Sequence, residues 1–368
     1  MLNKIILYLK KFDWILLAAV ILLMCFGLAE LYSIALGQDE LDLLNFEKQV
    51  VFVFLGLVIL FLVSFLDYFN LRSFNNYLYL LGLILLTAVL FFGASIRGTT
   101  GWFNIFGLSI QPVEFAKIIL VVFLARYFAA VSVKFSPFKH MIISGLGAFI
   151  FVALVLKQPD FGSALILFLI WLAMLIIVGF NKKYILFIVL VFFIAFAFSW
   201  MFLFKDYQKE RIITFLNPAA NSLGQGYNVQ QATIAVGSGG LTGRGLGFGS
   251  QSQLKFLPEA QNDFIFSVIA EELGFLGVVL VFSLFITIFY RILKASSYAN
   301  NDFAVYVLLG FLALIFMEMF INIGMNVGLM PVVGISLPLI SYGGSSILST
   351  LIIIGIIESI IIRSKLKY

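Results

Sequence analysis

The chain alternates between long apolar stretches and short polar connections. Ten stretches are long enough to cross a bilayer core as helices, for which about 20 residues suffice. They run at 13–36, 49–66, 75–94, 113–131, 141–156, 161–180, 184–204, 263–290, 303–328 and 345–362. In hydrocarbon a helix satisfies its own backbone, so the pattern predicts an all-α integral membrane protein with ten transmembrane helices. The first stretch is long for the apolar region of a signal peptide and no small-residue cleavage site follows it, so it is expected to stay in the mature chain. Between the seventh and eighth spans the pattern breaks. Residues 205–262 are polar and glycine-rich, yet their aromatic and aliphatic positions from Phe215 to Leu257 argue for an ordered loop. With no repeat between the halves, a single membrane domain over residues 1–368 is expected, containing that large loop.

Composition supports the same class. Of 368 residues 62% are hydrophobic and 11% charged, against roughly 25% charged in soluble domains, too few to cover a soluble surface. Assigning loops alternately puts most of the 23 Lys and Arg residues on the side that holds both tails and the short loops. The positive-inside rule makes that side cytoplasmic and places the 205–262 loop outside. The net charge of +5 is therefore read as topology, and no nucleic-acid partner is implied. A single cysteine, Cys25, excludes a disulfide framework, and a single histidine, His140, excludes two-histidine zinc motifs.

Five segments carry candidate chemistry. In the run from Arg97 to Lys117, Pro112 marks a helix start, and Glu114 and Lys117, three apart, share a face. They are either an anion-handling pair at the outer mouth or an acid at a helix start beside a snorkelling lysine. Asp160, in KQPDFGSAL, stands where a carboxylate caps span six. A functional role for it would gain from a pairing with Lys117. The glycines of 224–254 match no nucleotide motif. They suit either a backbone cradle for phosphate, with Arg211 and Arg244 as forks for a diphosphate, or a tight re-entrant turn. Asp263 opens span eight beside Phe264, and the reduced solvation of a membrane surface suits it to act as a base, although a cap is the ordinary use. Glu271 and Glu272 lie deeper and call for partners, as does Glu318 in span nine. The fifth segment, Asn322 to Ser346, reads as a re-entrant turn of prolines and paired glycines.

LPEAQNDFIFSVIAEELG and GISLPLISYGGSS, with GWFNIFGLSIQPVEFAK and QPDFGSAL before them, resemble in order the signatures of the SEDS family of bacterial peptidoglycan glycosyltransferases. The similarity covers nearly the whole chain, and GYNVQQATIAVGSGGLTGRG is more similar to the elongation branch than to the division branch. The resemblance implies a polymerase that joins lipid II disaccharide-pentapeptide units at the outer face of the bacterial cytoplasmic membrane. It acts from an undecaprenyl-diphosphate-linked glycan, beside a class B penicillin-binding protein as transpeptidase partner, with membrane lipid around it. It maps the essential acid onto Asp263, and substrate-handling roles onto Glu114, Lys117 and Asp160. Arg97, Arg211, Arg244 and Glu259 complete the candidate substrate-binding set. Where the family commonly has His-Thr before the aspartate, this chain has Gln261 and Asn262, which removes a histidine from any mechanism here. No cofactor is demanded. There is no DxD motif, and a divalent ion, Mg²⁺ or Mn²⁺, stands as an optional helper for the departing charge. The competing function is a lipid-linked-sugar transporter, which would call for repeats and charges near the bilayer midplane.

Overall fold

A computed structural model of the chain describes residues 8–37, 43–96, 98–105, 108–131, 135–202, 204, 206–217 and 225–366. Its long helices follow the apolar stretches. They are α1 Trp14–Leu36, α2 Leu44–Phe65, α4 Asn75–Phe92, α5 Pro112–Ala130, α6 Pro137–Lys157, α7 Phe161–Val178, α8 Lys182–Phe202, α12 Ile265–Ser297, α13 Asp302–Asn326 and α14 Gly344–Leu366. Between them lie the shorter α3 Tyr68–Ser73, α9 Asp206–Leu216, α10 Gln225–Ser238 and α11 Ser250–Gln253. Among the described residues nine helices are long and apolar enough to cross a membrane. The fourth expected span, 113–131, corresponds to α5, which is not among those nine; it is 19 residues long and carries Glu114, Lys117 and Arg126.

Local chemistry sets the helix ends. Asp13 accepts from Leu16 N at 3.2 Å and Asn301 from Ala304 N at 2.9 Å, each taking an orphan donor of the first turn. Pro112 and Pro137 sit in the first turns of α5 and α6, where a missing N–H costs nothing. Helix α7 ends at Gly179, whose φ of 89° lets Gly179 N and Phe180 N reach Ile176 O and Leu175 O. Helix α5 occupies the centre of the bundle and is buried on nearly every side from Val113 to Ala125, contacting α4, α7, α13 and α14. The opposite extreme is α8, of whose described residues Ile188 alone is buried; its aromatic and aliphatic side chains face outward, as suits a lipid-facing helix.

Two features lie beyond the all-helical expectation. The connection before α5 folds into a small antiparallel sheet, β1 Ala94–Ile96, β2 Thr99–Ile105 and β3 Leu108–Ile110, in the order β1-β2-β3. Gly98, at a φ of 81°, sits in its first turn. The threonines and aromatics of β2 are good strand formers. The second feature is a break inside α12 at Gly274, with φ 65° and ψ −161°. A break in a membrane helix strands carbonyls and N–H groups that water cannot reach. The glycine-rich segment repairs it. Arg244 N and Gly245 N donate to Glu271 O and Glu272 O at 3.0 and 2.9 Å, and Phe275 N and Leu276 N donate to Gly240 O and Leu241 O at 2.9 and 3.1 Å.

The acids beside the break are satisfied by the same segment. Glu271 accepts from Gln251 N at 2.9 Å and Ser250 Oγ at 3.2 Å, and Glu272 accepts from Ser252 Oγ at 3.0 Å, Gly247 N at 3.1 Å and also Ser33 Oγ. Of the two readings the sequence left open for these glycines, the structure favours the tight turn: the segment's amides are spent on a broken helix. Close approach explains the residue type, since a Cβ at Gly239 would lie 1.8 Å from Ala270 O. Gly239→Ala is expected to cost about 3 kcal/mol through overpacking against backbone that has nowhere to move. Unfolding of the purified variant in detergent checks this, and an unchanged midpoint would contradict the docking role.

Candidate functional site

Four helices begin at one cavity. Gln111, Glu114 and Lys117 come from the start of α5, Asp160 and Ser163 from that of α7, Asn262 and Asp263 from the residues just before α12, and Gly344 to Ser346 from the first turn of α14. The cavity holds about 340 Å³, and Lys48 of α2, Trp102 of β2 and Arg211 of α9 complete its wall. Each helix start brings the positive end of a macrodipole to the cavity. Carboxylates and bound anions are both stabilised there.

Lys117 is buried and donates to Glu114 Oε1 at 2.8 Å and to the Glu318 carboxylate. Ser349 Oγ adds a bond to Glu114 Oε2 at 3.3 Å. One ammonium thus serves two carboxyl groups inside the bundle. This gives Glu318 its partner and replaces the snorkelling picture of Lys117. Asp160 caps α7, accepting from Ser163 N at 3.0 Å and Ser163 Oγ at 2.7 Å, and also takes Gln111 Nε2 at 3.2 Å. Burial pushes its carboxyl above the ordinary range, against the bonds from Ser163 and the nearby Lys117 charge, which lower it. The bonding partners of Asp160 are therefore Ser163 and Gln111, with Lys117 a neighbour across the cavity rather than an ion-pair mate.

Asp263 is half-buried on the cavity wall. Its Oδ2 faces Gly334, where an added Cβ would lie 3.7 Å away. Arg211 lines the same space with a buried Nε that has no hydrogen-bond partner among the described residues, a donor suited to an incoming anion. Of the candidates named from sequence, Asp263, Glu114, Lys117, Asp160 and Arg211 meet here. Arg97 lies outside the described residues. Arg244 is exposed and donates to Ser250 Oγ at 2.6 Å beside the break in α12, and Glu259 accepts from Asn262 Nδ2 at 2.6 Å; neither lines the cavity. Sequence reasoning passed over Lys48, although a lysine in the first turns of a span is a visible signal. It also passed over Ser345 and Ser346, whose contribution depends on where α14 starts. Among the described residues no group of three His, Cys, Asp or Glu could hold a metal ion. Mg²⁺ bound by one or two carboxylates and a substrate's own phosphates would need no such cluster.

Fold and site define a polytopic helical membrane protein with a charged cavity enclosed by helix starts. The chain belongs to the cell cycle protein family of FtsW, RodA and SpoVE, whose model matches residues 12–366. It is 36% identical over 332 residues to the peptidoglycan glycosyltransferase MrdB of Escherichia coli K12, covering 90% of this chain and 89% of that protein. It is 32% identical over 357 residues to the stage V sporulation protein E of Bacillus subtilis, covering 95% and 96%. Among solved structures it superposes on a chain of a peptidoglycan synthase complex that coordinates polymerization and crosslinking, with a TM-score of 0.80, 29% identity, and coverage of 97% and 98%. The rod shape determining protein RodA of Thermus thermophilus matches with a TM-score of 0.71, 28% identity and the same coverage.

The triad's geometry makes a differential prediction. Lys117→Met removes the donor that Glu114 and Glu318 share and is expected to cost about 3–5 kcal/mol, the usual penalty for breaking a buried ion pair from one side. Glu318→Gln leaves the Lys117–Glu114 pair in place and should cost far less. Unfolding midpoints of the two purified variants measure the gap, and equal losses would contradict Lys117 as the shared centre of the triad.

Proposed function

We propose that this chain is a peptidoglycan glycosyltransferase that joins lipid II units into glycan strands, with its cavity on the outer face of the cytoplasmic membrane and both termini inside. The observation that carries the reading is the convergence of Asp263, Lys117, Asp160 and Arg211, from four separate segments, on one cavity ringed by helix starts. The relatives named as glycosyltransferases support the reaction class, and the likeness to a rod shape determining protein supports an elongation role. The large segment 205–262 is then extracytoplasmic. A transpeptidase is the proposed partner, by likeness to the synthase complex.

The chemistry follows from the donor. A sugar hydroxyl attacks the anomeric carbon; the new glycosidic bond forms as the bond to the diphosphate oxygen breaks, and undecaprenyl diphosphate leaves with the electron pair. Asp263 takes the hydroxyl proton as general base, a contribution typically worth about 10²–10⁴-fold. A single displacement inverts the anomeric centre and needs no covalent enzyme intermediate. Arg211, Lys48 and the first turn of α14 hold the departing charge, because cations and helix dipoles aimed at a developing anion act strongly in a water-poor site. Lys117, bound between its two carboxylates, and Asp160 shape the opposite wall.

Glycan formation from purified lipid II in liposomes, with a cognate transpeptidase present, tests this. Asp263→Asn should lower the rate by roughly 10³-fold, and Arg211→Ala should raise KM and lower kcat together, each in protein shown to be folded. Full polymer from folded Asp263→Asn would remove the base. Protein-dependent passage of lipid II across the bilayer without any polymer from wild type would replace the polymerase with a transporter.

A further inference from the structure

Three consecutive backbone carbonyls lead into α12, and each is clamped by a different partner. Gln261 O accepts from Tyr342 N at 2.9 Å, Asn262 O from Ser341 Oγ at 2.6 Å, and Asp263 O from two side-chain amides, Asn322 Nδ2 at 3.0 Å and Asn326 Nδ2 at 2.9 Å. The last pair is unusual in its completeness. Asn322 and Asn326 are fully buried, one helical turn apart near the end of α13. An amide nitrogen has two hydrogens to give. Asn322 gives its second to Ile335 O at 2.7 Å, and Asn326 gives its second to Asn322 O at 2.8 Å. The Oδ1 of Asn326 accepts from Ser267 Oγ at 2.7 Å and Ser267 N at 3.1 Å, in the first turn of α12.

We infer that Asn322 and Asn326 are positioning residues for Asp263: they fix its backbone to α13 and to the 333–336 segment, so that its carboxylate meets the acceptor hydroxyl in one orientation. Asn322 holds Asp263 O and Ile335 O with one nitrogen, and Ile335 follows Gly334, the residue that Asp263 Oδ2 faces. The amide thereby sets the separation between the carboxylate and the wall opposite it. Two asparagines buried at an apolar helix end are costly unless every donor is used, and here their donors are spent on the aspartate's main chain and its surroundings. The inference rests on the reading of Asp263 as base and goes beyond it, since neither asparagine is among the residues lining the cavity.

The test is steady-state polymerisation by full-length Asn322→Ala and Asn326→Ala in liposomes with the partner, run beside wild type and Asp263→Asn. Misplacing a reacting group by about 1 Å can cost on the order of 100-fold, so each asparagine variant is expected to lose roughly 10- to 100-fold in kcat with KM within about twofold of wild type. Measured per folded enzyme, this loss in kcat at constant KM is one that a purely structural role would not produce. Ser267→Ala, which loosens Asn326 without touching Asp263, should show the same kcat-only pattern at roughly 2- to 5-fold, and decides the matter if the asparagine variants fail to fold. An unchanged kcat per folded enzyme, with any apparent loss only in proportion to the amount of folded protein, would overturn the inference while Asp263→Asn stays inactive. Activity in Asp263→Asn would instead overturn the base beneath it.

Discussion

A helix start in a poorly solvated site is the interaction on which the rest of this molecule depends. Each first turn exposes N–H groups that hydrocarbon cannot satisfy, and each carries the positive end of a dipole. In this chain the starts of α5, α7, α12 and α14 are gathered around one cavity. The carboxylates found there follow from that field. Asp160 is a cap, Glu114 sits in the first turn of α5, and Asp263 stands two residues before α12. The same field favours the diphosphate of the proposed donor, so the site that stabilises the fold's acids also stabilises a departing anion. Arg211 and Lys48 add full charges to the partial ones.

The opposite end of the bundle obeys the same accounting with different groups. Arg291 bonds the Asp13 carboxylate, whose backbone N–H donates to Glu358 Oε2 at 3.1 Å. Lys11 and Lys365 each donate to the other's carbonyl, at 2.8 and 3.0 Å. Arg363 reaches Asp67 at 3.3 Å and the carbonyl of Phe65 at 2.9 Å, closing the end of α2 against α14. These cations tie α1, α2, α12 and α14 together at their far ends, so basic residues placed there by topology also hold helix ends.

The long apolar helices, nine of them long and apolar enough to cross a membrane among the described residues, were legible because hydrophobicity is a local property, and α5 formed as a helix despite its three charges. The sheet before it was missed because the segment was read for Pro112 and its charges, while Thr99, Trp102 and Phe103 carried a strand signal that went unused. The break at Gly274 has only a weak local signature, a glycine two residues after the Glu271 and Glu272 pair with no proline. It exists because residues 240–245, earlier in the chain, dock into it. Five residues of the cavity wall were legible as candidates from type and position. The second partner of Lys117 was not, because Glu318 lies far along the chain and only packing of α13 on α5 brings it near. The roles of Asn322 and Asn326 were equally hidden, since an i, i+4 pair of amides says nothing of the carbonyl it meets.

The most direct measurement is a cryo-EM structure of the chain, with its partner, holding an undecaprenyl-diphosphate-linked donor analogue. The diphosphate is expected between Arg211 and the first turn of α14, with the anomeric carbon turned toward Asp263. A diphosphate seated outside the cavity, against the exposed face of Arg244, would contradict it.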